Sequence, residues 1–421
     1  MTDENSGFET AAAAGRSRRD ILKAGGSTVA LAAFGTVAAP AVLRAQATTV
    51  KIGGVGPLTG ALAYNGNQAK AAMQFAIDDI NAAGGIKSMG GAKLELIYGD
   101  AESRPDVGAA QVDKLAEAGA CCLIGAESSA ISLATTQAAA RFNLPHIVNI
   151  GTADTIVQRG LPNVFRFSPG TAQSVAIGVG NLNRLNEQAG KPVKTVAIVH
   201  EDGPFGSSMA KLLGEKLPGV GLTVVETISH PTPQRDFTNI VLRLKNAKPD
   251  LVMPSHYINE FILFARTIRQ QRFSPKGIYS IFGGGASNIK FVRENQDAAQ
   301  FVIDTNHWYD PRKPASQALA KKVAEAKLDL TYDIMISYGA MQLAAQAIEK
   351  AGSADRAKIL QTLSTETFGD TVMPYGPIKF VGGDNTGSQL VNLQVRGEKI
   401  EVIFPKEYAT IEPVFPFPDR S

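Results

Sequence analysis

The sequence predicts an α/β fold with parallel sheets, arranged as two similarly built lobes. Two observations carry this. Short apolar, β-branched runs alternate with amphipathic helical stretches, the pattern of parallel strands joined by crossover helices. The same opening unit also occurs twice. Val50–Val55 leads through Gly56-Pro-Leu-Thr-Gly60 into a helix, and Thr195–His200 leads through Asp202-Gly-Pro-Phe-Gly206 into another. Length agrees, because the 374 residues beyond position 47 exceed one typical domain.

The elements follow in order. Val50–Val55 is a strand. A helix spans Gln68–Ala82, with Ala72, Phe75, Ala76 and Ile80 on one face, and Gly84-Gly85 stops it. Leu94–Tyr98 is the next strand and Val107–Glu117 the next helix. Cys121–Ile124 (strand), Ser132–Phe142 (helix) and His146–Ile150 (strand) continue the rhythm up to Phe165–Ser168. It restarts with a helix over Ala172–Gln188 and the strand Thr195–His200. Leu222–Thr227, Phe237–Leu244, Leu251–Pro254, Phe261–Gln271, Ile278–Phe282 and Phe301–Asp304 then alternate. The last third differs. Helices are expected at Ser316–Ala326, Asp333–Lys350 and Arg356–Leu363, before β-like Ile378–Phe380, Leu390–Val395 and Ile400–Ile403. Pro405–Pro418 reads as a poorly ordered tail.

The first 47 residues read as an export leader. Ser17-Arg18-Arg19-Asp20-Ile21-Leu22-Lys23 precedes a mildly apolar Ala/Gly-rich run, and Ala45-Gln46-Ala47 supplies small residues for cleavage. This is a twin-arginine signal cut near Ala47, and it places the mature chain in a periplasm-like space. The run is too weakly hydrophobic for a membrane anchor. The leader holds five of the 42 basic and four of the 39 acidic residues, so the remainder carries a net charge of only +2. Neither nucleic acid nor an anionic membrane is an expected partner. Cys121 and Cys122 are the only cysteines. They are adjacent on a strand and point to opposite faces, so they read as buried thiols rather than a disulfide.

No motif calls for an enzyme or a cofactor. The loop Gly54–Gly60 has the glycines of a phosphate-binding turn, but Pro57 removes an amide that such a turn needs. Asp100, closing the second strand, lies about twice as far along as the acid of a dinucleotide fingerprint. The loop is free instead to bring its amides and Thr59 to a small ligand. His146, His200, His230, His256 and His307 are the only histidines, and none has metal-site spacing. His200 and His256 read as polar residues at the mouth of a sheet. No nucleophile elbow is present.

The informative polar residues lie after strand ends, where open α/β sheets form their ligand crevice. Glu127, Ser128 and Ser129 follow Ile124, while Thr152 and Asp154 follow Ile150. Hydroxyls beside helix N-terminal amides suit a carboxylate, and helix capping by Ser129 or Thr152 is the competing reading. Asp202 and Phe205 follow His200, and Tyr257 follows His256. The two aromatics are placed to close over a ligand or simply to pack.

Gly56-Pro-Leu-Thr-Gly60, Ala76-Ile-Asp-Asp-Ile-Asn-Ala-Ala-Gly-Gly-Ile86, Gln158-Arg159-Gly160 and Phe165-Arg166 together resemble the periplasmic Leu/Ile/Val-binding family. Its members are substrate-binding proteins of amino-acid ABC importers. The resemblance implies two Rossmann-like lobes joined by a three-crossing hinge, with crossings near Ser168, His307 and Lys379. Residues 48–168 with 308–379 then form one lobe, and 169–307 with 380–421 the other. It implies no cofactor and no catalysis. It implies a monomer that captures a small solute and passes it to the transmembrane permease subunits, while the leader by itself implies the twin-arginine machinery as export partner. A ligand carboxylate is expected on Ser129, Ile150 and Thr152, with Phe205 and Tyr257 from the second lobe. Relatives that bind amino acids pair the ammonium with an acidic residue where this chain has Gly283-Gly284-Gly285. Glu127, Asp202 or Asp154 is the expected substitute. A branched-chain-like amino acid is the first expectation, then an aromatic or aliphatic carboxylate or an amide. A sensory module signalling to a membrane kinase is the alternative of another class.

Overall fold

The structure is a computed structural model that describes residues 49–418. The expected export leader lies outside the described residues.

Ten strands alternate with helices through the first three quarters of the chain. β1 (Thr49–Gly56), β2 (Lys93–Asp100), β3 (Cys122–Gly125), β4 (His146–Val148) and β5 (Val164–Arg166) form the parallel body of the first sheet. β6 (Thr195–Glu201), β7 (Thr223–His230), β8 (Leu251–Ser255), β9 (Gly277–Ile281) and β10 (Ile303–Asn306) do the same in the second. The chain then returns to the first sheet with β11 (Thr367–Phe368), β12 (Ile378–Val381) and β13 (Asp384–Asn385). It finishes in the second with β14 (Val391–Arg396) and β15 (Lys399–Phe404). The orders are β11-β12-β13-β5-β4-β3-β1-β2 and β15-β14-β10-β9-β8-β6-β7. The ordering among the five parallel strands is therefore the same in both sheets, which is the structural counterpart of the repeated βα opening.

The chain passes between sheets after β5, after β10 and after β13. The third passage lies between Asn385 and Val391, beyond the expected Lys379. Residues 380–385, assigned from sequence to the second lobe, instead lie in β12 and β13 of the first sheet. There Asp384 pairs with Arg166 of β5.

Most helices begin earlier than their apolar patterns suggest, because the apolar face is recognisable only past the first turn. The first helix is Ala63–Ala82, not one beginning after Gly66. Gly66 lies inside it because a Cβ there would sit 1.8 Å from the Pro57 carbonyl oxygen. The helix Tyr332–Ala351 is apolar nearly all round and is buried accordingly. It packs with Met73, Ile77 and Ile147 in the largest core cluster. Cys121 and Cys122 are buried free thiols.

The C-terminal segment is not the loose tail expected. Gln394 holds Val414 through both its amide ends, at 2.7 and 3.0 Å, and Phe417 N donates to Lys276 O at 2.6 Å. Those hydrogen bonds tie it to the second sheet despite its prolines.

Candidate functional site

The C-terminal ends of the parallel strands converge on one cavity. Glu127 and Ser129 come from the β3 loop, and Ile150, Gly151 and Thr152 from the β4 loop. The second sheet contributes Phe205, His256, Tyr257, Phe282 and His307, and Tyr332 opens the long buried helix. About 380 Å³ of space free of atoms lies among these residues, part of it open to solvent. This is the crevice position that parallel α/β sheets reserve for ligands.

Of the sequence-stated candidates, Glu127, Ser129, Ile150, Thr152, Phe205 and Tyr257 line this cavity. Asp202 does not. Its side chain is exposed, while its backbone N–H donates to His230 O at 2.8 Å. Asp154 is committed elsewhere, to Arg166 at 3.0 Å and to Ala172 N at 2.9 Å. Thr59 is likewise engaged, donating to Asp100 at 2.8 Å, so the Gly56–Gly60 loop is closed on the end of the neighbouring β2.

Capping belongs to Ser128, whose hydroxyl accepts from Ile131 N at 3.2 Å at the start of the helix Ser129–Ala140. Ser129 Oγ instead accepts from Thr152 N at 3.2 Å and Ala153 N at 3.1 Å. Its lone pairs are spent on the β4 loop, so its O–H proton remains to donate. Thr152 Oγ1 is buried with no protein partner. The Thr152 carbonyl accepts from Arg166 at 2.7 Å and from Thr171. Arg166 also reaches Ala153 O at 3.0 Å and Asp384 at 2.7 Å. A fully buried guanidinium thus holds the backbone that presents Thr152.

Glu127 is the acidic group of the cavity. Burial, and then the nearby Asp333 carboxylate, push its carboxyl well above the usual range. Burial raises Asp333 to about 7, although Asn65 donates to both its oxygens at 3.2 and 3.1 Å. Two buried acids in contact cannot both ionise cheaply, so they share a proton near neutral pH. Glu127 Oε2 has no protein partner.

The second-sheet wall is aromatic. Phe205 and Tyr257 meet with ring centroids 5.7 Å apart, and Phe282 lies 4.8 Å from His307. Tyr257 also packs on Leu62, Ala101, Ala126 and Ile131 of the first lobe, so it bridges the two sheets. Gly283, Gly284 and Gly285 each have a local reason: a Cβ on Gly283 would lie 2.3 Å from Ser280 Cβ, and Gly284 has a φ of +75°. A Cβ on Gly285 would lie 2.2 Å from the Phe261 ring, and Gly283 N donates to the buried Asp304 at 3.1 Å. Burial holds His307 neutral down to about 3.

His256, Phe282, His307, Tyr332 and Gly151 were not singled out as site residues. His256 and His307 carried a signal, since each directly follows a strand end. Tyr332 had none, because nothing local says that a helix 200 residues from Glu127 starts against it. Among the described residues no group of three or more His, Cys, Asp or Glu is placed to hold a metal, and no helix is long and apolar enough to cross a membrane.

Two sheets of like order with a cavity between their carboxyl ends are the architecture of a two-lobed solute-binding protein. The chain belongs to the periplasmic binding protein family, whose profile matches residues 49–395. It is 27% identical over 385 residues to a Leu/Ile/Val-binding protein homologue of Brucella suis, covering 86% of this chain and 93% of that one. It is 29% identical over 314 residues to a Leu/Ile/Val-binding protein of Rhizobium johnstonii, covering 74% and 82%. The fold matches the branched-chain amino-acid transporter substrate-binding protein of Streptococcus pneumoniae in complex with isoleucine (TM-score 0.73, 20% identity, 85% and 100% covered). It also matches an ABC-transporter solute-binding protein of Rhodopseudomonas palustris in complex with 3,4-dihydroxybenzoic acid (TM-score 0.70, 23% identity, 84% and 95% covered). Membership implies a periplasmic location.

Proposed function

We propose that this chain captures a small α-amino-acid-type solute between its sheets and delivers it, as a monomer, to the permease of an ABC importer. The observation that carries the ligand class is Glu127. Its buried carboxyl, with Oε2 unpartnered, lines the same cavity as the Ser129 and Thr152 hydroxyls. An α-amino acid presents carboxylate and ammonium on neighbouring atoms, and this cluster offers donors to one and an acid to the other. Phe205, Tyr257 and Phe282 then surround the side chain. An aromatic carboxylate is the second reading, favoured by those rings.

Closure is supported by contacts between lobes. Asn259 donates to Ala61 O at 3.2 Å and Tyr64 to Asn288 at 3.2 Å, besides the packing of Tyr257. A solute touching both walls favours this closed form over an open one, with hinges at the three passages.

The two ligand classes differ in proton linkage. An ammonium beside Glu127 favours the ionised pair and expels the shared proton. Amino-acid affinity therefore rises as pH goes up through and above neutrality, where burial and the Asp333 carboxylate keep Glu127 protonated in the free protein, by up to about tenfold per unit, and levels off once Glu127 is ionised. Calorimetry in buffers of different ionisation enthalpy is expected to show release approaching one proton per ligand. A carboxylate without an ammonium gives no release, and that outcome selects the second reading.

Arrival in the periplasm through the twin-arginine route rests on the leader alone. Arg18→Lys with Arg19→Lys is expected to leave the protein in the cytoplasm as uncleaved precursor, seen by fractionation and immunoblot. Normal export of the double variant refutes that route.

A further inference from the structure

We infer that the second-lobe wall selects solutes carrying a neutral hydrogen-bond donor at the end away from the carboxylate, and that His256 accepts it. This rests on the reading of the cavity as a carboxylate-binding site and specifies what else the solute carries.

Three linked groups determine the direction. His230 Nδ1 lies 2.8 Å from the Pro231 carbonyl oxygen, and His230 Nε2 lies 2.7 Å from His256 Nδ1. A carbonyl only accepts, so His230 carries its proton on Nδ1. Burial lowers the pKa of both rings, so both are neutral at pH 7. His230 Nε2 is then a bare lone pair and takes the proton of His256 Nδ1. His256 Nε2 is left bare in turn. That atom is buried and has no partner in the protein, and its residue lines the cavity.

The ring is fixed in place. Phe237, Phe261 and Phe264 meet it edge-on with centroids 5.4, 6.2 and 4.9 Å away. Turning it over would present Nδ1–H to the cavity only by breaking the bond to His230. The acceptor is therefore preset before a solute arrives.

The donor it awaits is uncharged. A buried ammonium needs an anion, and the nearby acids Glu201 and Glu260 are turned to the backbone amides of Gly203, Gly206 and Gln234. A hydroxyl or amide N–H satisfies Nε2 without a charge to compensate. A purely aliphatic or unsubstituted aromatic tail would seal Nε2 away from water unpaired. A plain branched-chain side chain is thus a poorer fit than a hydroxylated or amide-bearing one of similar size.

Three ligand pairs test this by calorimetry: phenylalanine and tyrosine, benzoate and 4-hydroxybenzoate, valine and threonine. In the native protein the hydroxylated member of at least one pair is expected to bind roughly tenfold to hundredfold tighter. In His256→Phe that gap closes, the hydroxylated ligand losing roughly tenfold to hundredfold relative to its partner. Equal affinities within every pair, or a preference that survives His256→Phe, overturn the inference and leave the carboxylate reading standing. Binding by none of the six overturns both. Should His256→Phe fail to fold, long-range proton–nitrogen NMR of the native protein decides. The expected spectrum has both His230 and His256 as Nδ1–H tautomers, and a proton on His256 Nε2 refutes the inference.

Discussion

Arg166→Met is expected to lower the unfolding free energy by about 3–5 kcal/mol, the cost of removing one partner from a buried charge cluster. Arg166 is 1% exposed, and its guanidinium serves Asp154, Asp384 and the carbonyls of Thr152 and Ala153. Methionine fills much of the volume but leaves those acceptors without their donors. Asp384→Asn is the control. Its side chain is 43% exposed, so water can take over and the loss is smaller. Urea unfolding of the two variants checks the order, and equal losses would show that the buried cluster is not what holds the β4 loop. Because Arg166 fixes the Thr152 backbone, Arg166→Met also raises Kd for the solute.

Ser129→Ala combined with Thr152→Val weakens binding of the native ligand by about 2–5 kcal/mol, roughly thirty- to several-thousand-fold in Kd. Each substitution removes a hydroxyl that is proposed to donate to the ligand carboxylate. The single changes behave differently toward the fold. Thr152 Oγ1 makes no bond within the protein, so Thr152→Val leaves stability nearly unchanged. Ser129 Oγ accepts two backbone amides, so Ser129→Ala strands them and costs about 1–3 kcal/mol of stability as well. Calorimetric titration and thermal unfolding separate the two effects. Unchanged affinity in the double variant refutes the carboxylate assignment.

Much of the site was legible along the chain because parallel sheets put the ends of their strands in one place. Ser129, Thr152, Phe205 and Tyr257 follow strand ends, and all four line the cavity. The same rule misplaced Asp202. It too follows a strand end, but the turn before the helix Pro204–Lys216 aims it at solvent. Spacing was silent on which histidines meet. His230 and His256 lie 26 residues apart on neither helical nor finger spacing, and the ends of β7 and β8, which flank β6, bring their rings into hydrogen-bond contact.

Local pattern determined what depends on local physics: the βα alternation, the buried apolar strands, and the repeated opening that foretold two sheets of like order. Side-chain periodicity and turn chemistry act over a few residues, so they are written in consecutive positions. Tertiary structure alone decided which polar atoms remain unspent. That Ser128 and not Ser129 caps its helix, that Asp154 is consumed by Arg166, that Glu127 meets Asp333, and that His256 ends a directed chain of hydrogen bonds all depend on partners 3 to about 200 residues away. A hydrogen bond is a relation between two groups in space, and no single position along the chain records which partner it will find.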